Sequence, residues 1–301
     1  MKITLTGSLG HISKPLAKAL IQKGHTVTII SSKAERQQDI EAIGAKAAIG
    51  TMEDPEFLAK AFAGADIVYA MESLGEGFFF NQNLDYMTAI INIGKSYKQA
   101  IEQSGVKKVI HLSSIGAHTD TGNGMLAFHH KVENLLKELP EDVSIKFMRP
   151  VGFYYNMFAY IPTIKAQGTI IQNYGGDEKE PWVSPTDIAA VISEEMETPF
   201  EGRTVRYIAS DEASPNEVAA ILGEAIGNAD IKWLTISDEL MLNNMIQIGF
   251  NPSIAKGLVD MNAGRRSGVL YEDYLRNRPT LSKTKLKDFA KDFAAAYTHS
   301  K

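Results

Sequence analysis

The chain of 301 residues has no cysteine. That absence excludes disulfides, thiolate catalysis and cysteine-ligated metals. It has no apolar run of membrane-spanning length, which takes about 20 residues. It has no surplus of positive charge. Its 31 lysines and arginines face 36 aspartates and glutamates, a net charge of −5, so direct nucleic-acid binding is not expected. Internal repeats and low-complexity linkers are missing too. The first strand-like run opens at Lys2 and leaves no room for a signal peptide, so residence in the cytoplasm, away from membranes, is the expectation. What remains is an ordinary globular composition, long enough for one large domain or two smaller ones.

The most informative stretch is Gly7-Ser8-Leu9-Gly10-His11-Ile12-Ser13. It follows the strand-like Lys2-Ile3-Thr4-Leu5-Thr6 and opens a helix-like run with Ile12, Leu16, Ala19 and Leu20 on one face. Strand, glycine turn and helix form the arrangement that binds a dinucleotide diphosphate. Glycines let the backbone approach the phosphates, and the helix N-terminus supplies free N–H groups and positive potential. Strand and helix then alternate to Pro150, with helix stops at Gly24, Gly44 and Gly64 and a helix start at Asp54-Pro55. The pattern predicts the α/β class: a Rossmann-like doubly wound parallel sheet of order 3-2-1-4-5-6, with a seventh strand near Val205 to Ile208. Residues 1–150, with contributions from about 184–210, form the expected nucleotide-binding domain. Residues 151–301 form a smaller, interleaved, mostly helical lobe on the substrate or partner side. Ser184-Pro185-Thr186-Asp187 and Ser214-Pro215-Asn216-Glu217 read as capping boxes.

Ligands lie beyond the carboxyl ends of parallel strands, and that rule selects the cofactor residues. Gly7, Leu9, Gly10, His11 and Ile12 face the diphosphate, with the His11 side chain either covering it or turned to solvent. Strand two ends in Ser31-Ser32-Lys33, followed by Arg36, with no acid at the strand end to select a free ribose 2′-hydroxyl. Hydroxyls and cations suit a 2′-phosphate, so NADP(H) is expected over NAD(H). Thr51 falls near the adenine, and Ala70 and Met71 near the nicotinamide-side ribose. Ser113 and Pro150, at the ends of strands five and six, complete the set.

These residues, with His111-Leu112-Ser113-Ser114, Lys131, Met148-Arg149-Pro150-Val151-Gly152-Phe153-Tyr154-Tyr155-Asn156 and Val183-Ser184-Pro185-Thr186-Asp187-Ile188-Ala189, resemble the NmrA-like branch of the atypical short-chain dehydrogenase/reductases. The match spans roughly residues 1–228. The resemblance implies a Rossmann-like domain, NADP(H) binding and a small lobe over the nicotinamide. It does not imply catalysis, because the family holds both quinone or carbonyl reductases and dinucleotide-binding regulators of partner proteins.

Short-chain dehydrogenases carry Tyr-x-x-x-Lys on a helix. Here the lysine slot is Lys131 and the tyrosine slot holds Ala127, which removes the usual general acid. Lys131 keeps a role at the nicotinamide ribose. His118, His129 and His130 are substitute acids, with His130 the candidate taken forward. Tyr154 and Tyr155 follow strand six, where either donates a proton or walls the pocket. Ser114, Phe153 and Phe79 join them as pocket residues; the Gly75-Glu76-Gly77-Phe78-Phe79-Phe80 segment is either a lid or packing for the second lobe. No metal site is expected: His129 and His130 point about 100° apart on a helix, and no spaced carboxylate completes a ligand set. Arg265-Arg266 and the lysines from Lys283 to Lys291 read as solvated helix faces. Two functions follow: an NADPH-dependent reductase of a quinone-like or other small carbonyl acceptor, or a non-catalytic dinucleotide sensor that binds a partner protein.

Overall fold

The structure, a computed structural model, describes residues 1–75 and 77–300. Glu76, within the aromatic segment, lies outside the described residues. Strands β1 (Lys2–Leu5), β2 (Thr26–Ser31), β3 (Lys46–Ile49), β4 (Ile67–Ala70), β5 (Lys108–Leu112) and β6 (Ser144–Pro150) alternate with helices α1 (Ser13–Gln22), α2 (Gln37–Ala42), α3 (Pro55–Phe62), α4 (Tyr86–Ser104) and α5 (Ala127–Lys137). The second region adds β7 (Gly152–Phe153), α6 (Ile161–Gln167), β8 (Thr169–Gln172), β9 (Glu180–Val183), α7 (Pro185–Glu195), β10 (Arg203–Ile208), β11 (Asp211–Ala213) and α8 (Pro215–Ala225). The chain ends in β12 (Lys232–Thr235), α9 (Asp238–Gln247), α10 (Pro252–Ser267), α11 (Glu272–Arg276) and α12 (Leu286–His299).

The central sheet is parallel, in the order β3-β2-β1-β4-β5-β6-β10. This is the Rossmann-like doubly wound arrangement, and its order reverses between β1 and β4, which opens a crevice at the carboxyl edge. Local chemistry sets the elements. α3 begins where the Asp54 carboxylate accepts the amides of Glu56 and Phe57 and Pro55 occupies the first turn. α4 begins at its Asp85 cap rather than near Asn81 and ends at Gly105, whose φ is 72°. One core layer lies under α1 and α7, around Leu16, Ile29, Ile188 and Ile192; the other lies under α3, α4 and α5, around Phe62, Tyr97, Val132 and Phe147.

Two sequence expectations need correction here, and one feature is new. The second lobe is mostly helical, as expected, but it also carries a sheet β11-β9-β7 and a pair β12-β8 around an aromatic core with Tyr154, Tyr174, Trp182, Trp233 and Phe289. Strands this short show no alternation to read. Ser184 caps α7 through the Thr186 amide, but Asp187 does not close a box. Its carboxylate accepts the Ser210 hydroxyl at 2.6 Å and the Thr284 amide at 2.9 Å, tying α7 to the segment before α12. Ser214 and Glu217 do form the reciprocal pair. Arg265 is no solvated cation: its guanidinium lies 4.2 Å from the Tyr174 ring centre and 4.9 Å from that of Trp182, and binds Glu180 at 2.5 Å. Arg266 donates to Asp238 and the Asn173 carbonyl.

Helix α10 rests on the loop before α5 through glycine-to-glycine contact. A Cβ on Gly264 would overlap the Gly122 carbonyl oxygen. Alanine in a helix interior ordinarily stabilises by about 0.5–1 kcal/mol over glycine. Here the sign reverses, because the obstacle is backbone. Gly264→Ala is expected to cost about 1–3 kcal/mol in urea unfolding, the range of an overpacked core. An unchanged or raised midpoint would show that this contact does not exist.

Candidate functional site

β1 runs into a turn that only glycine can make. Gly7 has φ 83°, and a Cβ there would lie 2.7 Å from Ser13 Oγ and 2.8 Å from Met71 Sδ. Ser8 follows at φ 52°, held by its amide on the Ile30 carbonyl (3.1 Å) and by its hydroxyl on Ser31 Oγ (2.9 Å). Ser13, in the position often taken by glycine, packs inward and donates to the Thr6 carbonyl at 3.0 Å. α1 starts with no side-chain cap and no acid in its first turn. A helix N-terminus left uncapped at the carboxyl edge of the sheet, behind a turn without Cβ bulk, fits an anionic diphosphate.

The other candidates divide. Ser31 is buried and backs the turn through Ser8. Ser32 and Lys33 are exposed beyond β2, and Arg36 leans on Asp39 at 3.5 Å. Thr51 is exposed and accepts the Glu53 amide at 3.2 Å. Ala70 is fully buried; Met71 is fixed by its amide on Thr6 Oγ1 (2.9 Å) and its carbonyl under the Tyr97 hydroxyl (2.5 Å). Pro150 is a buried strand end whose carbonyl takes the Ile115 amide. Leu9, Met71, Leu126, Phe153 and Tyr271 are half-buried against one core layer and supply an apolar floor, with Ser114 half-buried after β5. His11 is exposed, and Tyr155 lies on it with ring centres 4.1 Å apart. Phe79 contacts Phe78 and Phe250, while the Asn251 amide binds its carbonyl, so the segment packs on the second lobe.

The proposed catalytic residues are not where spacing put them. Glu133, one turn into α5, has a wholly buried carboxylate that accepts Arg149 Nε and Nη2 at 2.8 and 2.7 Å and the Ser113 hydroxyl at 2.6 Å. With Glu133 inward, His129, four residues before it, lies on the same face, while Lys131 falls on the outer side. Lys131 is accordingly exposed. Ser113 spends its hydroxyl on Glu133. His130 is engaged at both nitrogens, by the Ala117 carbonyl (3.0 Å) and Asn134 (2.8 Å). Tyr154 is 1 % exposed, stacked on Phe289, and donates to the Thr284 carbonyl at 3.2 Å, so it belongs to the second lobe's core. Its neighbour Tyr155 is 44 % exposed. His118 is covered, and burial pushes its pKa down.

The site also contains groups that spacing missed. Glu72, just past β4, and His111, on β5, form an ion pair at 3.0 Å with both side chains fully buried. Burial alone would make His111 less basic. The Glu72 charge and hydrogen bond, with Glu133 beyond, instead hold it above its ordinary 6.5. Burial likewise opposes ionisation of Glu133, but Arg149 and Ser113 hold it below its ordinary 4.5. Arg149 continues to Asp273 at 3.0 Å and to the Tyr207 hydroxyl at 3.2 Å, which brings α11 onto the ends of β6 and β10. His129 is driven well below 6.5 by burial, then by the charges of His111 and Arg149.

The family model for the NmrA-like family matches residues 1–270, and the chain belongs to that family. An NAD(P)H azoreductase of Xenophilus azovorans is 24 % identical over 98 % of this chain and 99 % of its own. Among solved structures, the NADPH-dependent quinone oxidoreductase of Escherichia coli complexed with NADPH superposes with a TM-score of 0.80 at 20 % identity, covering 96 % of this chain and 99 % of that one. NmrA, a negative transcriptional regulator, superposes with a TM-score of 0.71 at 15 % identity, covering 97 % and 94 %. No described helix is long and apolar enough to cross a membrane.

Glu133→Ala removes the buried bidentate carboxylate from Arg149, leaving Asp273 as its partner, and is expected to cost about 3–5 kcal/mol in denaturant unfolding. A loss under 1 kcal/mol would mean that water replaces the carboxylate. The pH dependence has two limbs. Glu133, depressed in the fold, stabilises above its unfolded value of 4.5, and that contribution is lost as pH falls through its lower folded pKa. His111, raised in the fold, stabilises fully below 6.5, and its contribution is lost as pH rises from there through its folded pKa. His111→Gln is expected to flatten the alkaline limb and leave the acid limb in place.

Proposed function

We propose that this member of the NmrA-like family is an NADP(H)-binding reductase that acts on a quinone-like or other small carbonyl acceptor. The observation that carries the reading is the Gly7 turn, where a Cβ would clash and the helix behind it has no side-chain cap, an arrangement that suits a diphosphate. NADPH, when bound, supplies the hydride. The chain's own residues do the rest. Amides at the start of α1 hold the diphosphate. Ser32, Lys33 and Arg36, exposed or part-exposed beyond β2, offer a hydroxyl and cations to a 2′-phosphate. Leu9, Met71, Leu126 and Phe153 present an apolar surface to a flat acceptor and keep water from it. Reduction of a quinone asks little of a protein acid, because its product anion is stable near neutrality. That suits a helix with Ala127 in the slot where a phenol would be needed. Two relatives named as reductases, the azoreductase and the quinone oxidoreductase, support the same class.

A second reading has its own observation. Tyr155, from the second lobe, lies on His11 of the turn, so a ligand in the turn and the position of that lobe are linked. A dinucleotide with unequal affinity for the two arrangements would then regulate a partner protein. The regulator NmrA shares the fold. Partner capture that is indifferent to NADP(H) would exclude this reading.

Calorimetry with NADPH and NADH tests the cofactor, and NADPH oxidation with a quinone panel tests the reaction. NADPH is expected to bind at least about tenfold tighter than NADH, one or two charge-assisted contacts' worth. Lys33→Ala with Arg36→Ala should abolish that preference without weakening NADH. Gly7→Val should abolish binding of both. No heat with either nucleotide at millimolar concentration would sink both readings.

A further inference from the structure

The turn that suits a diphosphate and the loop that suits a 2′-phosphate follow different strands, and one side chain joins them. Ser8 sits in the left-handed region at φ 52°, where a residue with a Cβ rarely rests. Two bonds hold it there: its amide on the Ile30 carbonyl at 3.1 Å, and its hydroxyl on Ser31 Oγ at 2.9 Å. A glycine would take this conformation more readily, but it would have no hydroxyl to send to Ser31. Ser31 closes β2 and is 3 % exposed. Its Oγ also accepts the Lys33 amide at 3.3 Å and donates to the Lys33 carbonyl at 3.4 Å, a local turn that leads the chain out of the strand. That same carbonyl accepts the Arg36 amide at 3.1 Å and so opens the single helical turn Ala34–Arg36. The Ser31 hydroxyl is thereby saturated, with two bonds accepted and one donated. Its backbone is fixed as well, because its carbonyl accepts the Gly50 amide at 2.9 Å where β2 pairs with β3.

We propose that Ser31 is a positioning residue for cofactor choice: its hydroxyl sets the Lys33–Arg36 loop at a fixed distance from the glycine turn, so that both grip one dinucleotide at once. This rests on the NADP(H) reading above. The chemistry of the ligand makes the spacing matter. The 5′-diphosphate and the 2′-phosphate of NADPH leave the same ribose, so their separation is nearly constant. A turn and a loop free to drift apart would satisfy one group or the other, and ordering them to satisfy both would cost entropy on binding. NADH carries only the diphosphate and does not sense the spacing. Ser31 is buried behind the turn and acts through Ser8 on one side and the Lys33 backbone on the other. The cations supply the attraction to the 2′-phosphate, and Ser31 supplies their register.

Calorimetric Kd values for NADPH and NADH, taken as a ratio in each variant, test this. Ser31→Ala is expected to lower the preference for NADPH about three- to tenfold, the range that one net hydrogen bond covers. Ser8→Gly suits the φ of the turn and removes the link from the other side, so it should lower the ratio by a similar factor. The double variant should lose no more than either single one, because both delete the same bond. On a chain that already carries Lys33→Ala and Arg36→Ala, Ser31→Ala should leave the ratio where it was, since no cation remains to be positioned. A ratio unchanged in Ser31→Ala and Ser8→Gly overturns the inference. So does a loss that falls equally on both nucleotides, or one that persists without the two cations, and each of these leaves the NADP(H) reading standing. A wild-type chain that binds NADH as tightly as NADPH removes both.

Discussion

One buried carboxylate organises the site. Glu133 draws Ser113 from the end of β5 and Arg149 from β6 onto a single helix, and Arg149 passes the link to Asp273 and Tyr207. Removing a carboxylate and a guanidinium from water costs several kcal/mol per ion. The bidentate geometry offsets that cost, and Ser113 and Asp273 take up remaining lone pairs and protons. Such a cluster tolerates little displacement. It therefore holds three strands of the Rossmann-like sheet, α5 and α11 in fixed relation, at the edge where ligands of this fold sit.

The rotation of α5 is the first consequence. With Glu133 inward, His129 stands over the strand ends and Lys131 faces water. Electrostatics is the second. Burial, then the charges of His111 and Arg149, hold His129 well below its ordinary 6.5, while the Glu72 carboxylate outweighs burial at His111 and holds it above that value.

The sheet was legible because its signals are local. Asp54-Pro55, Gly24, Gly44 and Gly64 mark where each helix begins or stops, and strand order follows from handed crossovers. The glycine turn was legible for the same reason, since Thr6 to Ser13 carry its glycines and its inward serine, while Met71, Ile30 and Ser31 buttress it from neighbouring strand ends. Failures came where distant residues decide. A spacing of four fits Ala127–Lys131 as well as His129–Glu133, and Arg149, on another strand, selects between them. Tyr154 goes inward and Tyr155 outward because Phe289, on the last helix, stacks on the former. Arg265 has charge enough for solvent, but Tyr174 and Trp182 build an aromatic slot for it far earlier in the chain. Glu72 gave no signal, because its partner His111 is adjacent only once β4 and β5 pair.

The second region is held to the sheet by joints of unequal strength. Asp273 on Arg149 and Asp187 on Ser210 and Thr284 are charge-assisted, directional and largely shielded. Tyr155 on His11 is a ring contact at the surface. Exposed contacts of this kind are worth about 0.5–1.5 kcal/mol beyond their area. The weaker of these joints thus lies at the glycine turn, and the stronger ones lie elsewhere. Opening the turn then need not disturb Glu133 or the groups it positions. Freedom at the turn and rigidity around Glu133 are assigned to different contacts.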